Sequence, residues 1–222
     1  MITTIIFDAF GTLFRITGGT TAKTAISYLA DCGKEVNEQS FIREWKEYYK
    51  SNTAEGTPFL TEREIFTARN EMLYKRFGVR RDAREDAEAL LVGAYEREAY
   101  EEVAEVIPKL REKYRVLIGS NTDNDVLEAV MKKNQVMVDK IYTSENLRCY
   151  KPNPAFYRRI LEDNQLQAQE VLFVGDSGAD DIQGPKRAGM KTALINRAET
   201  AYDFGQDVTI RNLRELLEIL KL

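Results

Sequence analysis

The feature of this sequence that most constrains its fold is the spacing of short apolar segments rich in β-branched residues. They occupy residues 2–7, 114–119, 140–143, 171–175 and 192–195, with a weaker one at 208–210. Such segments are typical of buried parallel strands. Amphipathic stretches alternate with the later ones, at residues 103–113, 125–133, 156–161, 181–188 and 213–220. This alternation predicts an α/β fold with a doubly wound parallel sheet.

A long stretch after the first strand has a different pattern. Residues 20–100 contain no strand-like segment and predict four helices, at 21–31, 38–50, 61–76 and 84–98. Asn37 and Thr61 are suitable N-caps, and Gly33 and Gly78 suit helix ends. We therefore expect a helical domain at residues 18–101, inserted into an α/β core of residues 1–17 and 102–222. Gly18-Gly19 and Glu101-Glu102 are the candidate hinges.

Composition excludes several kinds of chemistry and of partner. The 222-residue chain has no histidine, which rules out Ser-His-Asp and Cys-His catalysis and a histidine-ligated zinc. Its net charge of -4 argues against nucleic-acid or anionic-membrane binding. The expected partner is a small-molecule substrate, and the pattern leaves monomer and homodimer both open.

Cysteines and the N-terminus point to the expected compartment. The two cysteines, Cys32 and Cys149, form no CxxC pattern and are expected to be reduced. The first residues lack a basic region, and no stretch approaches the roughly 18 apolar residues of a membrane helix. We expect a soluble, cytoplasmic protein.

Polar residues follow several predicted strands directly. Asp8 ends the first, Ser120-Asn121 follows the second, and Asp176 ends the strand at 171–175, with Asp180 and Asp181 close behind. Lys151 lies in a proline-fixed loop. The carboxyl ends of parallel strands meet at one edge of the sheet, so these groups are expected to converge there.

The residue types at this edge suggest a reaction. Converging carboxylates without histidine suit Mg²⁺, which prefers oxygen ligands. A carboxylate beside that ion, such as Asp8, can attack a phosphoryl group. Ser120 and Lys151 would hold the transferring group and balance its charge, while Gly11 allows a turn whose N–H groups face an anion.

The motifs FDAFGTLF, LIGSN, YKPNP and FVGDSGADDIQGPKRAGM occur in the order and spacing of a known family. In these motifs the chain resembles the haloacid dehalogenase (HAD) superfamily of hydrolases. The resemblance implies a Rossmann-like core with an early helical cap, and Asp8, Ser120 and Lys151 as catalytic residues. It also implies Mg²⁺ held by Asp8, Asp176, the Phe10 carbonyl and Asp181, with Asp180 as the alternative to Asp181, and substrate contacts from Gly11, Thr12 and Asn121.

One motif departs from the phosphatases of this superfamily. They carry an acid/base Asp two residues after the nucleophile, where this chain has Phe10. An aromatic residue there resembles the metal-free L-2-haloacid dehalogenases, and Lys46 would then stand in for their halide-binding arginine. The acidic fourth motif instead resembles Mg²⁺-dependent members. The main hypothesis is therefore a Mg²⁺-dependent phosphatase acting on a small phosphorylated metabolite with a good leaving group. A 2-haloacid dehalogenase and a non-catalytic binding or regulatory protein are the alternatives.

Overall fold

A computed structural model describes residues 1–16 and 21–221 of the chain. The chain divides into two compact units, Met1–Ile16 with Glu98–Leu222, and Thr17–Arg97. The expected boundaries at residues 17/18 and 101/102 stay predictions. The candidate hinge at Gly18-Gly19 lies outside the described residues.

The strands and helices of the described residues follow one another in this order: β1 (Thr4–Phe7), α1 (Thr21–Asp31), α2 (Glu38–Asn52), α3 (Glu62–Phe77), α4 (Ala83–Tyr95), α5 (Val103–Arg111), β2 (Arg115–Ser120), α6 (Asn124–Lys133), β3 (Lys140–Thr143), α7 (Ser144–Leu147), α8 (Pro154–Asn164), a 3₁₀ turn (Ala168–Glu170), β4 (Val171–Gly175), a π-helical turn (Gly178–Gln183), α9 (Gly184–Arg187), β5 (Lys191–Ile195), β6 (Val208–Ile210) and α10 (Arg214–Leu220). None of the described helices combines the length and apolar character needed to cross a membrane.

All six strands belong to one parallel sheet, in the order β3-β2-β1-β4-β5-β6. Side chains of β1 alternate between its two faces, so Ile5 and Phe7 join one apolar cluster and Ile6 joins the other. Both faces of the central strand are thus buried, which explains its continuous run of apolar residues. The predicted Rossmann-like α/β fold is confirmed.

The central position of β1 determines where ligands bind in such a sheet. The chain runs from β1 to β2 and β3 on one side, and β4 to β6 lie on the other. The strand order therefore reverses beside β1, and open α/β sheets bind ligands at the carboxyl ends of the strands at this point. Asp8 follows β1 directly, and its N–H donates to the carbonyl of Val174 at 2.8 Å.

The second unit consists of helices α1 to α4. Asn37 and Thr61 accept hydrogen bonds from backbone N–H groups as the predicted N-caps of α2 and α3, and Gly78 ends α3 in the left-handed conformation. The rings of Phe41, Trp45 and Phe66 stack in a column with centroids about 6 Å apart, which supplies the aromatic core between α2 and α3.

A buried polar network also joins the helices of this unit. Asp86, 6% exposed, accepts two hydrogen bonds from Arg81, both at 2.6 Å, and a third from the Tyr74 hydroxyl at 2.5 Å. The Arg81 hydrogen bonds, followed by the opposing effect of burial and the Tyr74 hydrogen bond, leave the pKa of Asp86 lowered. The network is satisfied only while the carboxylate is charged and in place.

Asp86→Ala is expected to lower the free energy of unfolding by about 1–3 kcal/mol, because it leaves the buried Tyr74 hydroxyl and the partly exposed Arg81 guanidinium without their acceptor. The measurement is urea denaturation followed by circular dichroism. Glu71→Ala, at an exposed position of α3, is the matched control. Equal unfolding midpoints for the two variants would contradict a stabilising network.

The structure corrects one predicted helix next to the site. The segment predicted at residues 181–188 begins earlier, as the π-helical turn at Gly178–Gln183 that leads into α9. Ser177 caps this turn by accepting from the Asp180 N–H at 3.3 Å. A π-turn does not follow the 3.6-residue periodicity of an α-helix. The periodicity therefore placed the start of this element too late.

Candidate active site

The carboxyl ends of the central strands carry the predicted catalytic groups. Asp8 follows β1, Ser120 is the last residue of β2, and Asp176 follows β4. Asp8 and Ser120 are 7% and 1% exposed, and the Ser120 hydroxyl donates to Asp8 Oδ1 at 3.3 Å. The strand ends therefore bring the nucleophile candidate and the hydroxyl together, as the sequence predicts.

Lys151 places a buried positive charge between two carboxylates. Its Nζ donates to Asp8 Oδ1 at 2.8 Å and to Asp181 Oδ1 at 2.7 Å. Burial alone would lower the pKa of Lys151, but the charges of Asp181 and Asp8 outweigh it and raise the pKa. The lysine is therefore an ammonium, and it holds one oxygen of Asp8 in a fixed position.

Asn121 is hydrogen-bonded to the backbone of this lysine. Its Oδ1 accepts from the Lys151 N–H at 2.8 Å, and its Nδ2 donates to the Lys151 carbonyl at 3.1 Å. Both ends of the amide are therefore used to hold the Lys151 loop against the end of β2. Substrate contact by the Asn121 side chain stays a prediction.

Three carboxylates meet in this site. One oxygen each of Asp8, Asp176 and Asp181 lies within 4.8 Å of the others. Desolvation, followed by repulsion from Asp8, raises the pKa of Asp176 to about 6. Burial likewise raises the pKa of Asp181. This concentration of negative charge, larger than one lysine balances, favours a bound cation.

The carboxylates of this cluster are packed against two glycines. Gly11 has a φ of 93°, and a Cβ there would lie 2.4 Å from Asp176 Oδ2. A Cβ on Gly175 would lie 2.3 Å from Asp181 Cγ, while the Ser177 N–H donates to Asp181 Oδ2 at 2.9 Å. Both glycines are thus required by close approach, and Gly11 also by its conformation.

The other residues of the first motif are directed into the protein. The centroid of the Phe10 ring lies 6.1 Å from the centroid of the Phe14 ring, and Phe10 packs on the apolar core. Thr12 is fully buried, and its hydroxyl has no hydrogen-bond partner among the described residues. A substrate contact from Thr12 therefore remains a prediction, as does a metal contact from the Phe10 carbonyl.

Lys46 lies on α2 in the helical unit, where it is exposed, and its binding role stays a prediction.

Two contacts next to the site involve residues that the sequence did not predict. The Tyr157 hydroxyl donates to the Asp180 carbonyl, and Arg197 donates to the Thr12 carbonyl at 2.8 Å. Arg197 follows β5 by two residues, so the rule that identified Asp8 applied to it as well.

The sequence of the chain is similar to the sequences of enzymes with two different activities. An (S)-2-haloacid dehalogenase, 4A, from Burkholderia cepacia is 29% identical over 200 residues, covering 86% of this chain and 82% of the relative. The pyrophosphatase PpaX of Halalkalibacterium halodurans is 30% identical over 132 residues, covering 55% of this chain and 60% of the relative.

A solved structure shows the same fold. The HAD-hydrolase YfnB from Bacillus subtilis, bound to magnesium, superposes with a TM-score of 0.79 at 20% identity over 100% of this chain and 99% of its own. The family model for haloacid dehalogenase-like hydrolases matches residues 2–189, which is most of the chain and includes the first three motifs and all but the last residue of the fourth. The chain therefore belongs to the haloacid dehalogenase-like hydrolases.

Proposed function

We propose that this hydrolase is a Mg²⁺-dependent phosphatase that uses Asp8 as its nucleophile. The observation that carries the proposal is the cluster of Asp8, Asp176 and Asp181, whose carboxylate oxygens approach within 4.8 Å of one another. Phosphate monoesters are anions at neutral pH, and three carboxylates facing one ammonium would repel them. A cation held by the cluster removes this repulsion.

The donor set fits Mg²⁺ well. All three groups offer hard oxygen ligands, and Asp176, although its neighbours partly desolvate it, still reaches solvent, which leaves room for the waters this ion retains. We assign Asp8, Asp176 and Asp181 as its ligands, together with the carbonyl of Phe10. When bound there, Mg²⁺ would neutralise charge on the transferring phosphoryl oxygens.

Asp8 and the residues around it have separate roles in the proposed reaction. Lys151 and Ser120 both donate to Asp8 Oδ1, at 2.8 and 3.3 Å, which orients the carboxylate. A carboxylate oxygen of Asp8 attacks phosphorus, the bond from phosphorus to the leaving oxygen breaks, and an aspartyl phosphate forms. Water then attacks phosphorus, which releases inorganic phosphate and regenerates Asp8. Lys151 and Ser120 also supply donors to the phosphoryl oxygens.

The substrate class follows from Phe10. The Phe10 ring packs against Phe14 and donates no proton, so an alkoxide leaving group would depart unprotonated. A positioned acid contributes typically 10²–10⁴-fold to such a step. Aryl phosphates, acyl phosphates and phosphoanhydrides release weakly basic leaving groups and need this acid least. The pyrophosphatase among the relatives is consistent with this class.

A 2-haloacid dehalogenase is the second candidate. It is favoured by the similarity to (S)-2-haloacid dehalogenase 4A over 82% of that protein and by the aromatic residue at position 10. Asp8 would then displace halide from carbon, and halide needs no proton. Two further carboxylates beside Asp8, at Asp176 and Asp181, disfavour the approach of a haloacid anion without a cation.

The test is a paired assay of the purified chain with and without Mg²⁺. We expect phosphate release from p-nitrophenyl phosphate that requires Mg²⁺, and turnover of an alkyl phosphate that is lower by about 10²-fold or more. Halide release from 2-chloropropionate without metal would establish the dehalogenase instead. No turnover of either substrate, with Mg²⁺ binding retained, would favour the non-catalytic alternative.

A further inference from the structure

Arg197 connects the loop after β5 to the motif that carries Asp8. Its Nη2 donates to the Thr12 carbonyl at 2.8 Å, and its Nη1 donates to Glu102 Oε1 at 2.7 Å. A planar guanidinium can satisfy two acceptors at once in this way, whereas an ammonium has no such fork. Arg197 therefore links two segments that are far apart in sequence.

The guanidinium is itself held in place. Glu102 is 3% exposed and also accepts from the Leu213 N–H at 3.4 Å. The Tyr100 ring stacks on Arg197, with the guanidinium carbon 3.4 Å from the ring centroid. Burial alone would raise the pKa of Glu102, but hydrogen bonds from backbone N–H groups and from Arg197 leave it lowered. Glu102 is thus a carboxylate, and it forms an ion pair with Arg197 in which the glutamate is buried and the arginine side chain is 20% exposed.

The acceptor on the other side belongs to the nucleophile loop, residues 8–14. Within this loop the N–H groups of Gly11, Leu13 and Phe14 form backbone hydrogen bonds of 2.8–2.9 Å to Phe14 and Ala9 carbonyls. The carbonyl of Thr12 is held from outside the loop, by Arg197. Gly11, its neighbour, packs directly on the Asp176 carboxylate. A shift of the Thr12 peptide would therefore move the loop relative to the carboxylate cluster.

We propose that Arg197, fixed by Glu102 and Tyr100, is a positioning residue that sets the conformation of the nucleophile loop. Its catalytic consequence rests on the proposed role of Asp8, whereas its effect on the loop does not. A small misplacement of a reacting group lowers the rate of the chemical step more than it lowers binding. Arg197 touches none of the three carboxylates, so its loss leaves the ligand groups in the site.

The kinetic test compares Arg197→Ala, Arg197→Lys and Arg211→Ala with p-nitrophenyl phosphate and Mg²⁺. Arg197→Ala is expected to lower kcat by about 10- to 100-fold with little change in KM. Arg197→Lys keeps the positive charge but loses the planar guanidinium that reaches both acceptors, and it should recover part of the loss. Arg211→Ala removes an exposed arginine of the same unit, 3.8 Å from Glu199, and should match the wild type. An effect confined to KM would overturn the proposal.

Hydrogen exchange tests the same proposal without turnover. Peptides covering residues 8–14 should exchange faster in Arg197→Ala than in the wild type or Arg211→Ala, and Arg197→Lys should lie between them. Exchange in this loop that is unchanged by Arg197→Ala overturns the proposal, even where the chain proves to hydrolyse no phosphate. Faster exchange with an unchanged kcat would overturn it as well. If Arg197→Ala fails to fold, Arg197→Lys provides both readouts.

Discussion

Asp8→Asn is expected to lower turnover by on the order of 10⁴-fold or more, because the amide is a poor nucleophile and no neighbouring group replaces it. The introduced asparagine keeps the size of the carboxylate and can still accept from Lys151 Nζ, which lies 2.8 Å away in the wild type. Circular dichroism should therefore show an intact fold. The measurement is kcat with the best substrate from the paired assay.

Asp180→Asn is the matched control for this prediction. Asp180 lies in the π-helical turn after β4, at the same edge of the sheet, but its carboxylate lies outside the cluster of Asp8, Asp176 and Asp181 and instead approaches Asn121 Nδ2 at 3.5 Å. We expect a far smaller loss of turnover than for Asp8→Asn. Equal losses in the two variants would mean that the site depends on its total negative charge rather than on one nucleophile.

Lys151→Met is expected to lower the free energy of unfolding by about 3–5 kcal/mol near neutral pH, since it leaves two buried carboxylates without their cation. Lys151 is 4% exposed, and its Nζ lies within 2.8 Å of both Asp8 and Asp181. Methionine fills a similar volume, so this loss in the free energy of unfolding, the deficit of the variant, comes from the missing charge rather than from a cavity. Chemical denaturation at several pH values measures it.

The sign of the pH dependence follows from Asp181. Burial raises the pKa of its carboxyl in the folded state. A folded-state pKa above the unfolded value means that the charged carboxylate of Asp181 destabilises the folded state. As the pH falls through this raised pKa, Asp181 takes up a proton, and the deficit of Lys151→Met should shrink. Mg²⁺ should also reduce the deficit, because without the ammonium of Lys151 the carboxylates of Asp8 and Asp181 attract the cation more strongly and the variant gains more stability from binding it.

The control for this prediction is Lys140→Met. Lys140 pairs with Asp163 on the surface, where the two side chains are 42% and 50% exposed. Exposed ion pairs contribute at most about 1 kcal/mol, so this variant should unfold near the wild-type midpoint. A deficit for Lys151→Met no larger than that of Lys140→Met would contradict the buried charge pairing.

Residues at the strand ends were predictable because two simple rules act there. A charged side chain is too costly to bury within a sheet, so Asp8 and Asp176 had to lie at its edge. Because the strands are parallel, the groups at their carboxyl ends then lie close together, as the contacts of Ser120 and Lys151 with Asp8 show. The periodicity of 3.6 residues similarly predicted helices α1 to α3, and residue type predicted the N-caps of α2 and α3.

Residues that act through side-chain geometry were not predictable in this way. The pairing of the Asn121 amide with the Lys151 backbone is one such contact. Arg197 contacts Thr12 although 185 positions separate them in the sequence. No local pattern encodes such a pairing, because it depends on how loops pack after the sheet has formed. The choice of Asp181 over Asp180 in the carboxylate cluster likewise follows from the π-helical turn rather than from spacing.

Attack at phosphorus, rather than displacement at carbon through an Asp8 ester, is tested most directly by following ¹⁸O from labelled water. Water that attacks the phosphorus of an aspartyl phosphate delivers its oxygen to inorganic phosphate, and Asp8 keeps both of its own oxygens. Water that attacks the carbonyl carbon of an aspartyl ester, as in halide displacement from carbon, instead leaves its oxygen on Asp8. Incubation with substrate and Mg²⁺ in H₂¹⁸O is therefore predicted to give labelled phosphate and an unlabelled Asp8 peptide by mass spectrometry. A labelled Asp8 peptide after turnover of a 2-haloacid would contradict the account.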